Sequence, residues 1–310
     1  MSQRDAESKA GLRHGPPPGW KRLRLTIAYN GGPWKGWQSQ ESGGGIQDEL
    51  NTAIRKATRI ETHVQGSGRT DAGVHAIAQT AHCDVPETVR MSGEAWVNAL
   101  NACLPLTIRV LEVGEADPNF HSRFDATGKV YRYRIWRPKM LSPFEADRAW
   151  HVYGPLDVDA MRWCCEKLVG THNFIRLSAN RGDMPETVRR TLPEKTTRTI
   201  HRADLREDGD VLELEFEGDG FLYKMVRLIV GSLIHVARGR EPKEWFEGLL
   251  TDPSGRQSNQ TAPAGGLYLV RVGYAEDEGD IEEALRRDAQ IESGLVREMS
   301  HEEFVAGLRR

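Results

Sequence analysis

Eleven consecutive residues hold the densest chemistry in the chain: Gly66-Ser67-Gly68-Arg69-Thr70-Asp71-Ala72-Gly73-Val74-His75-Ala76. Three glycines, one serine and two alanines leave little bulk around Arg69, Asp71 and His75. Glycine tolerates positive φ and close backbone approach, so the loop is shaped to let something large come near. Asp71 is the one carboxylate in it, able to serve as nucleophile or proton acceptor. Read alone, the same aspartate is an ordinary turn former. A phosphate loop is excluded, because no Gly-Lys-[Ser/Thr] follows the glycines. A loop histidine followed by Ala76 and Ile77 is packed more often than catalytic, so His75 stays outside the candidate set.

A second candidate lies far away in sequence. Arg227 is flanked by Met225, Val226, Leu228, Ile229 and Val230. An arginine in such company either snorkels to the surface or is buried against an acid. Further cations cluster as Lys21, Arg22 and Arg24; Arg132, Arg134, Arg137 and Lys139; Arg176 and Arg181; and Arg189, Arg190, Lys195, Arg198 and Arg202. Each cluster alone is an ordinary solvated face. Their interleaving with Tyr133, Trp136 and Phe174 suits an RNA cleft, where aromatic rings stack on exposed bases.

The elements that position these residues follow from periodicity. Leu23, Leu25, Ile27 and Tyr29 alternate with polar neighbours, which predicts a strand, and Ile46, Leu50, Ala53, Ile54 and Ala57 predict a helix over 45–58. Strands are expected near 63–67, 78–85, 107–113, 129–136 and 266–274, with a hairpin at 195–205 and 211–217. Helices are expected at 92–104, 157–169, 221–236 and 243–250. This order predicts an α+β fold with helices on mainly antiparallel sheets. A break near 115–125 divides it into a subdomain over 20–118, carrying the loop, and another over 119–274.

The 310 residues are 38% apolar and 28% charged, as expected of a globular protein with a sizeable core. The formal net charge of −3 hides a division: residues 275–310 carry eleven acids against five bases, so the remainder is mildly basic. Any polyanion site must come from local clustering. Residues 1–19 read as a flexible leader with no secretory signal, and 275–310 as a partly helical acidic tail. No apolar run approaches the ~20 residues of a membrane span, so a cytoplasmic protein is expected. Cys83, Cys103, Cys164 and Cys165 form neither a metal ladder nor a CxxC pair, which predicts reduced thiols and no metal.

Gly68-Arg69-Thr70-Asp71-Ala72-Gly73-Val74-His75-Ala76 resembles the catalytic motif of the tRNA pseudouridine synthase A family. Tyr29-Asn30-Gly31 with Gly36-Trp37-Gln38-Ser39-Gln40 resembles that family's first strand and turn, and Ile46-Gln47 the start of its first helix. Phe120 to Ala126, followed by Lys129-Val130-Tyr131-Arg132-Tyr133, is similar to the strand supplying its active-site tyrosine. Gly170-Thr171-His172-Asn173-Phe174, Gly220 to Arg227, and Ala262 to Leu269 are similar to its later turn, long helix and closing strand. The likeness covers about residues 20–274. Ala78, Cys83 and Asn173 depart from residues common in the family at those places.

The resemblance implies the pseudouridine synthase fold, two subdomains meeting at a central RNA-binding cleft. It implies isomerisation of uridine to pseudouridine at positions 38 to 40 of tRNA, in the anticodon stem-loop. Asp71, Tyr131 and Arg227 would be catalytic. The implied substrate contacts are Arg69, which would assist base flipping, together with Tyr131, Arg22, Arg24, Arg132 and Arg134. No cofactor or metal is implied, and the expected partners are tRNA and a second copy of the chain. Alternatives are a pseudouridine synthase for another RNA site, a non-catalytic RNA-binding or folding module, and a carboxylate-based N-glycosylase.

Overall fold

The computed structural model describes residues 15–182 and 185–275. Most of the leader and nearly all of the acidic tail lie outside the described residues. In chain order the elements are β1 (Trp20–Tyr29), α1 (Ile46–Thr58), β2 (Gln65–Gly66), β3 (His75–Pro86), α2 (Gly93–Cys103) and β4 (Ile108–Glu115). There follow β5 (Ala126–Trp136), β6 (Trp150–His151), α3 (Val158–Leu168), β7 (Gly170–Asn173), α4 (Glu186–Thr191), β8 (Thr197–Asp208) and β9 (Val211–Gly218). The last three are α5 (Met225–Ala237), α6 (Lys243–Thr251) and β10 (Leu267–Tyr274). This is the expected α+β class.

All ten strands join one mixed sheet in the order β4-β1-β3-β10-β5-β9-β8-β7, with β2 on β3 and β6 on β5. Both expected halves contribute to it. β1 pairs antiparallel with β3 and β4, and β9 pairs antiparallel with β5 and β8. The halves are linked where β10 lies parallel to β3, in only two rungs, Tyr268 opposite His75 and Leu269 opposite Ala76. The expected break near 115–125 is packed: Phe120, His121 and Ser122 are buried, and Ser122 Oγ donates to the Gln65 carbonyl at 2.9 Å.

Two local features decide where the site falls. Every residue of α5 except Arg227 and His235 is buried, so this helix forms the centre of the C-terminal core with α3, α6, β5 and β9. The expected start of α5 at Phe221 moves to Met225. Lys224 has a left-handed backbone (φ 57°), which cannot continue a right-handed helix, so Gly220–Lys224 is a turn. β6, β7 and α4 are too short for periodicity to reveal.

Candidate active site

The loop between β2 and β3 is pinned along its backbone. Lys129 Nζ donates to the Ser67 carbonyl at 3.0 Å, and Gln79 Nε2 to the Gly68 carbonyl at 3.0 Å. The Gln79 side-chain oxygen accepts from Ser67 Oγ at 2.7 Å. Thr70 shares a 2.8 Å hydrogen bond with the Tyr29 hydroxyl, and its carbonyl accepts from Trp37 N at 3.1 Å. Gly36 makes this approach possible: its φ is +94°, and a Cβ there would lie 2.6 Å from the Thr70 oxygen. Val74 N closes a turn on the Asp71 carbonyl at 3.1 Å. Ser67, Gln79 and Tyr29 are buried, so these bonds act where an unmade bond is costly.

Asp71, presented by that loop, meets α5. Arg227 Nη1 lies 3.3 Å from Asp71 Oδ2, with the side chains 15% and 22% exposed. The same guanidinium donates through Nε to the Ala262 carbonyl at 2.8 Å. Arg227 is therefore the paired arginine, and it also ties α5 to the segment before β10. Tyr131 lines the same pocket from β5, its ring edge-on to Phe221 with centroids 4.9 Å apart. Burial, with smaller contributions from Tyr29 and Asp71, pushes its phenol above the ordinary tyrosine range and keeps it protonated at neutral pH.

The pocket is completed by Arg69, Thr70, Val74, Arg181, Tyr223, Lys224 and Leu267 among others. Asp71 and Arg69 from the loop, Tyr131 from β5 and Arg227 from α5 are thus brought together from three separate stretches of chain. Phe221, Tyr223 and Lys224 escaped sequence reasoning because they read as the first turn of a helix. A wider groove between Asn30–Pro33 and Pro143–Arg148 contains none of these groups.

Other candidates lie elsewhere. Arg22 is 3% exposed and donates to both Asp84 oxygens at 2.8 and 2.9 Å and to the Phe120 carbonyl at 2.7 Å. Against the expectation of an RNA contact, it is a structural arginine closed off from solvent. Arg24 lies over the Phe120 ring at 5.5 Å. Arg132 is bonded to Glu215 at 3.1 Å, and Arg134 to Glu145 at 2.7 Å and Glu213 at 3.2 Å. The pairs with Glu213 and Glu215 follow the register of β5 and β9. Tyr133 and Phe174 are buried in the core, Tyr133 donating its hydroxyl to the Pro263 carbonyl at 2.8 Å, so neither ring is free to stack on a base.

His75 has both ring nitrogens engaged. Gly31 N donates to Nδ1 at 3.1 Å, so the proton is on Nε2, which faces the Asp147 and Gly265 carbonyls at 2.8 and 3.0 Å. Burial lowers its pKa, and the ring joins three loops as a neutral group. Cys83, Cys164 and Cys165 are free thiols pushed up to about 12, chiefly by burial, and so are poor nucleophiles. Among the described residues no group of three or more His, Cys, Asp or Glu is placed to hold a metal, and no helix is long and apolar enough to cross a membrane.

Comparison with known proteins bears on this geometry. A family profile described as tRNA pseudouridine synthase matches residues 28–125 and 164–275. A protein called tRNA pseudouridine synthase A from Akkermansia muciniphila is 42% identical over 258 residues, covering 83% of this chain and 96% of that protein. Proteins of the same name from Solidesulfovibrio magneticus and Geobacillus kaustophilus are 43% and 40% identical. They cover 82% and 83% of this chain, and 91% and 96% of their own lengths.

Proposed function

The chain belongs to the tRNA pseudouridine synthase family, and from that premise we propose that Asp71 is the catalytic carboxylate and the anticodon stem-loop, positions 38 to 40, is the target. The protein is an isomerase that converts uridine in tRNA to pseudouridine. In this reaction the C1′–N1 bond breaks, the uracil turns, C5 bonds to C1′, and the proton lost from C5 is balanced by one gained at N1. Nothing is oxidised or reduced.

The observation that carries the reading is the Asp71–Arg227 contact at 3.3 Å beside Tyr131, at the end of a loop held by buried hydrogen bonds. A carboxylate so placed can attack C1′ or C6, or stabilise the separated ribosyl fragment and remove the C5 proton. Arg227 orients it. Tyr131, protonated, is suited to stacking on the uracil and donating a hydrogen bond. Arg69, exposed beside Asp71, is placed to fill the space left by an extruded base.

Two finer readings rest on the family resemblance. The protein acts in the cytoplasm, where its tRNA substrate resides, and it works as a homodimer. The loop carrying exposed Met140, Leu141 and Phe144 supports the second by offering apolar surface for a subunit contact. Sedimentation of the purified chain tests it.

The deciding experiment is chromatography of nucleosides from tRNA incubated with the wild type and with Asp71→Asn, with the modified positions mapped. Pseudouridine at 38–40 with wild type and none with the variant is expected, the variant still binding tRNA. Pseudouridine elsewhere would move the target, and free uracil would mean glycosidic cleavage. Substantial turnover by Asp71→Asn would remove this residue from the chemistry.

A further inference from the structure

Most arginines on the β5, β8 and β9 face are already neutralised. Arg132 and Arg134 pair with Glu213, Glu215 and Glu145, and Arg202 pairs with Asp204, Glu215 and Glu217. Such a cation gains little from a phosphate, because it must first give up its acid. The pocket around Asp71 is different. Its lining contains one acid, Asp71, and four cations, Arg69, Arg181, Lys224 and Arg227. Arg227 is held by Asp71, whereas Arg69, Arg181 and Lys224 have no acid within ion-pair distance among the described residues.

Two of the three are organised by a single ring. The Arg181 guanidinium lies over Tyr223 with its carbon 4.6 Å from the centroid, and Lys224 Nζ lies 5.3 Å from the same centroid. Both are cation–π distances. One ring of the pocket lining thus engages two like charges without neutralising either. Lys224 reaches it from the left-handed backbone that ends the turn before α5. A non-glycine residue in that conformation is a local cost that a functional site can justify.

We propose that Arg181 and Lys224, braced on Tyr223, form a phosphate-binding subsite that grips the RNA backbone next to the extruded uridine. The ligand is a phosphodiester, and this assignment rests on the reading of the pocket as the site of uridine isomerisation. Its role is positional: backbone phosphates fix register and carry no sequence information. The charge of Arg181 also reaches the Tyr131 phenol, which places the subsite within electrostatic range of the uracil pocket.

The test is the salt dependence of tRNA binding, read by fluorescence anisotropy from 50 to 200 mM salt. The proteins compared are wild type, Arg181→Gln, Lys224→Gln and Lys224→Gly. The last removes the charge and relieves the positive φ, so a binding loss in it cannot be blamed on misfolding. Each phosphate contact contributes ~0.7–0.9 to the slope of log K against log salt, so each substitution should remove about threefold of the affinity change across that range. KM should rise, with single-turnover rates at saturating enzyme nearly retained. Arg162→Gln, which removes an exposed arginine paired with Glu207, should leave the slope as in wild type. Unchanged slopes in Arg181→Gln and both Lys224 variants would overturn the subsite, as would an equal loss in Arg162→Gln. Absence of pseudouridine in wild-type reactions would instead defeat the functional reading on which the subsite rests.

Discussion

Arg227 has two jobs in one planar group, and replacing it separates them. Its Nη1 faces Asp71 at 3.3 Å while Nε donates to the Ala262 carbonyl at 2.8 Å. At 3.3 Å and an effective dielectric near 20 the gross attraction is about 5 kcal/mol. Stranding one partner of a fully buried pair costs ~3–5 kcal/mol. Here the side chains are 15% and 22% exposed, so solvent screens part of it, and roughly 2–3 kcal/mol is the appropriate range. If Asp71 must be held in place for reaction, Arg227→Met should slow the chemical step by about 30- to 150-fold, at 1.36 kcal/mol per factor of ten. Arg227→Lys keeps the charge but has a single ammonium for two acceptors set apart by the guanidinium plane, so it should lie between Met and wild type. The assay is single-turnover release of tritium from tRNA labelled at uridine C5, the atom that loses its hydrogen when it bonds to C1′. Thermal melts run alongside should show Arg227→Met lowered by about 2–4 °C per kcal/mol lost. A Met variant within threefold of the wild-type rate, with its fold intact, would refute the pairing as part of the reaction.

Gly36→Ala should both destabilise the protein and cut turnover at least tenfold, because the new methyl meets the Thr70 carbonyl and the backbone is left-handed; melting curves and single-turnover rates check it. His82 is held at about 3, below its ordinary 6.5, by burial first and then by the charges of Arg22, His121 and His63. Its unfolded form takes a proton that its folded form resists, so this stability is present above about pH 6.5 and is lost as pH falls towards 3. Urea midpoints from pH 7 to 4 should therefore fall less steeply in His82→Gln than in wild type, and parallel curves would show that His82 is not the sensor. Turnover should survive exhaustive chelation without added nucleotide, whereas loss rescued by zinc would reveal a metal that the ligand spacing does not suggest.

The loop and the helix arginine were legible because each is a local anomaly. Small residues crowd around Asp71, and a charge interrupts the apolar run at Arg227; both patterns are visible within a dozen residues. The strand acids that pair with Arg22, Arg132 and Arg134 are not legible, because they are distant in sequence. Glu213 and Glu215 alternate along β9 at the spacing of the arginines on β5, yet only strand pairing shows that they face each other. Asp84 likewise reaches Arg22 through the register of β1 and β3. The turn at Gly220–Lys224 was hidden for another reason. Its apolar residues fit the helical period of α5, and nothing in residue type announces that Lys224 adopts positive φ.

The place of β10 has a consequence for biosynthesis. Of the described strands, Leu267–Tyr274 is the last to be made, and it lies in the middle of the sheet, between β3 and β5. A ribosome at ~5–20 residues per second needs roughly 10–35 s to travel from the end of β3 to the start of β10. Throughout that interval the inner edge of β3 lacks its neighbour and His75 lacks the Gly265 carbonyl. A nascent chain therefore carries an open strand edge directly beneath the Asp71 loop, a surface prone to wrong pairing and a natural client for a chaperone. It also lacks the Ala262 carbonyl that anchors Arg227. The contacts that complete the pocket around Asp71 and Arg227 therefore form only after the Ala262 segment and β10 have emerged from the ribosome.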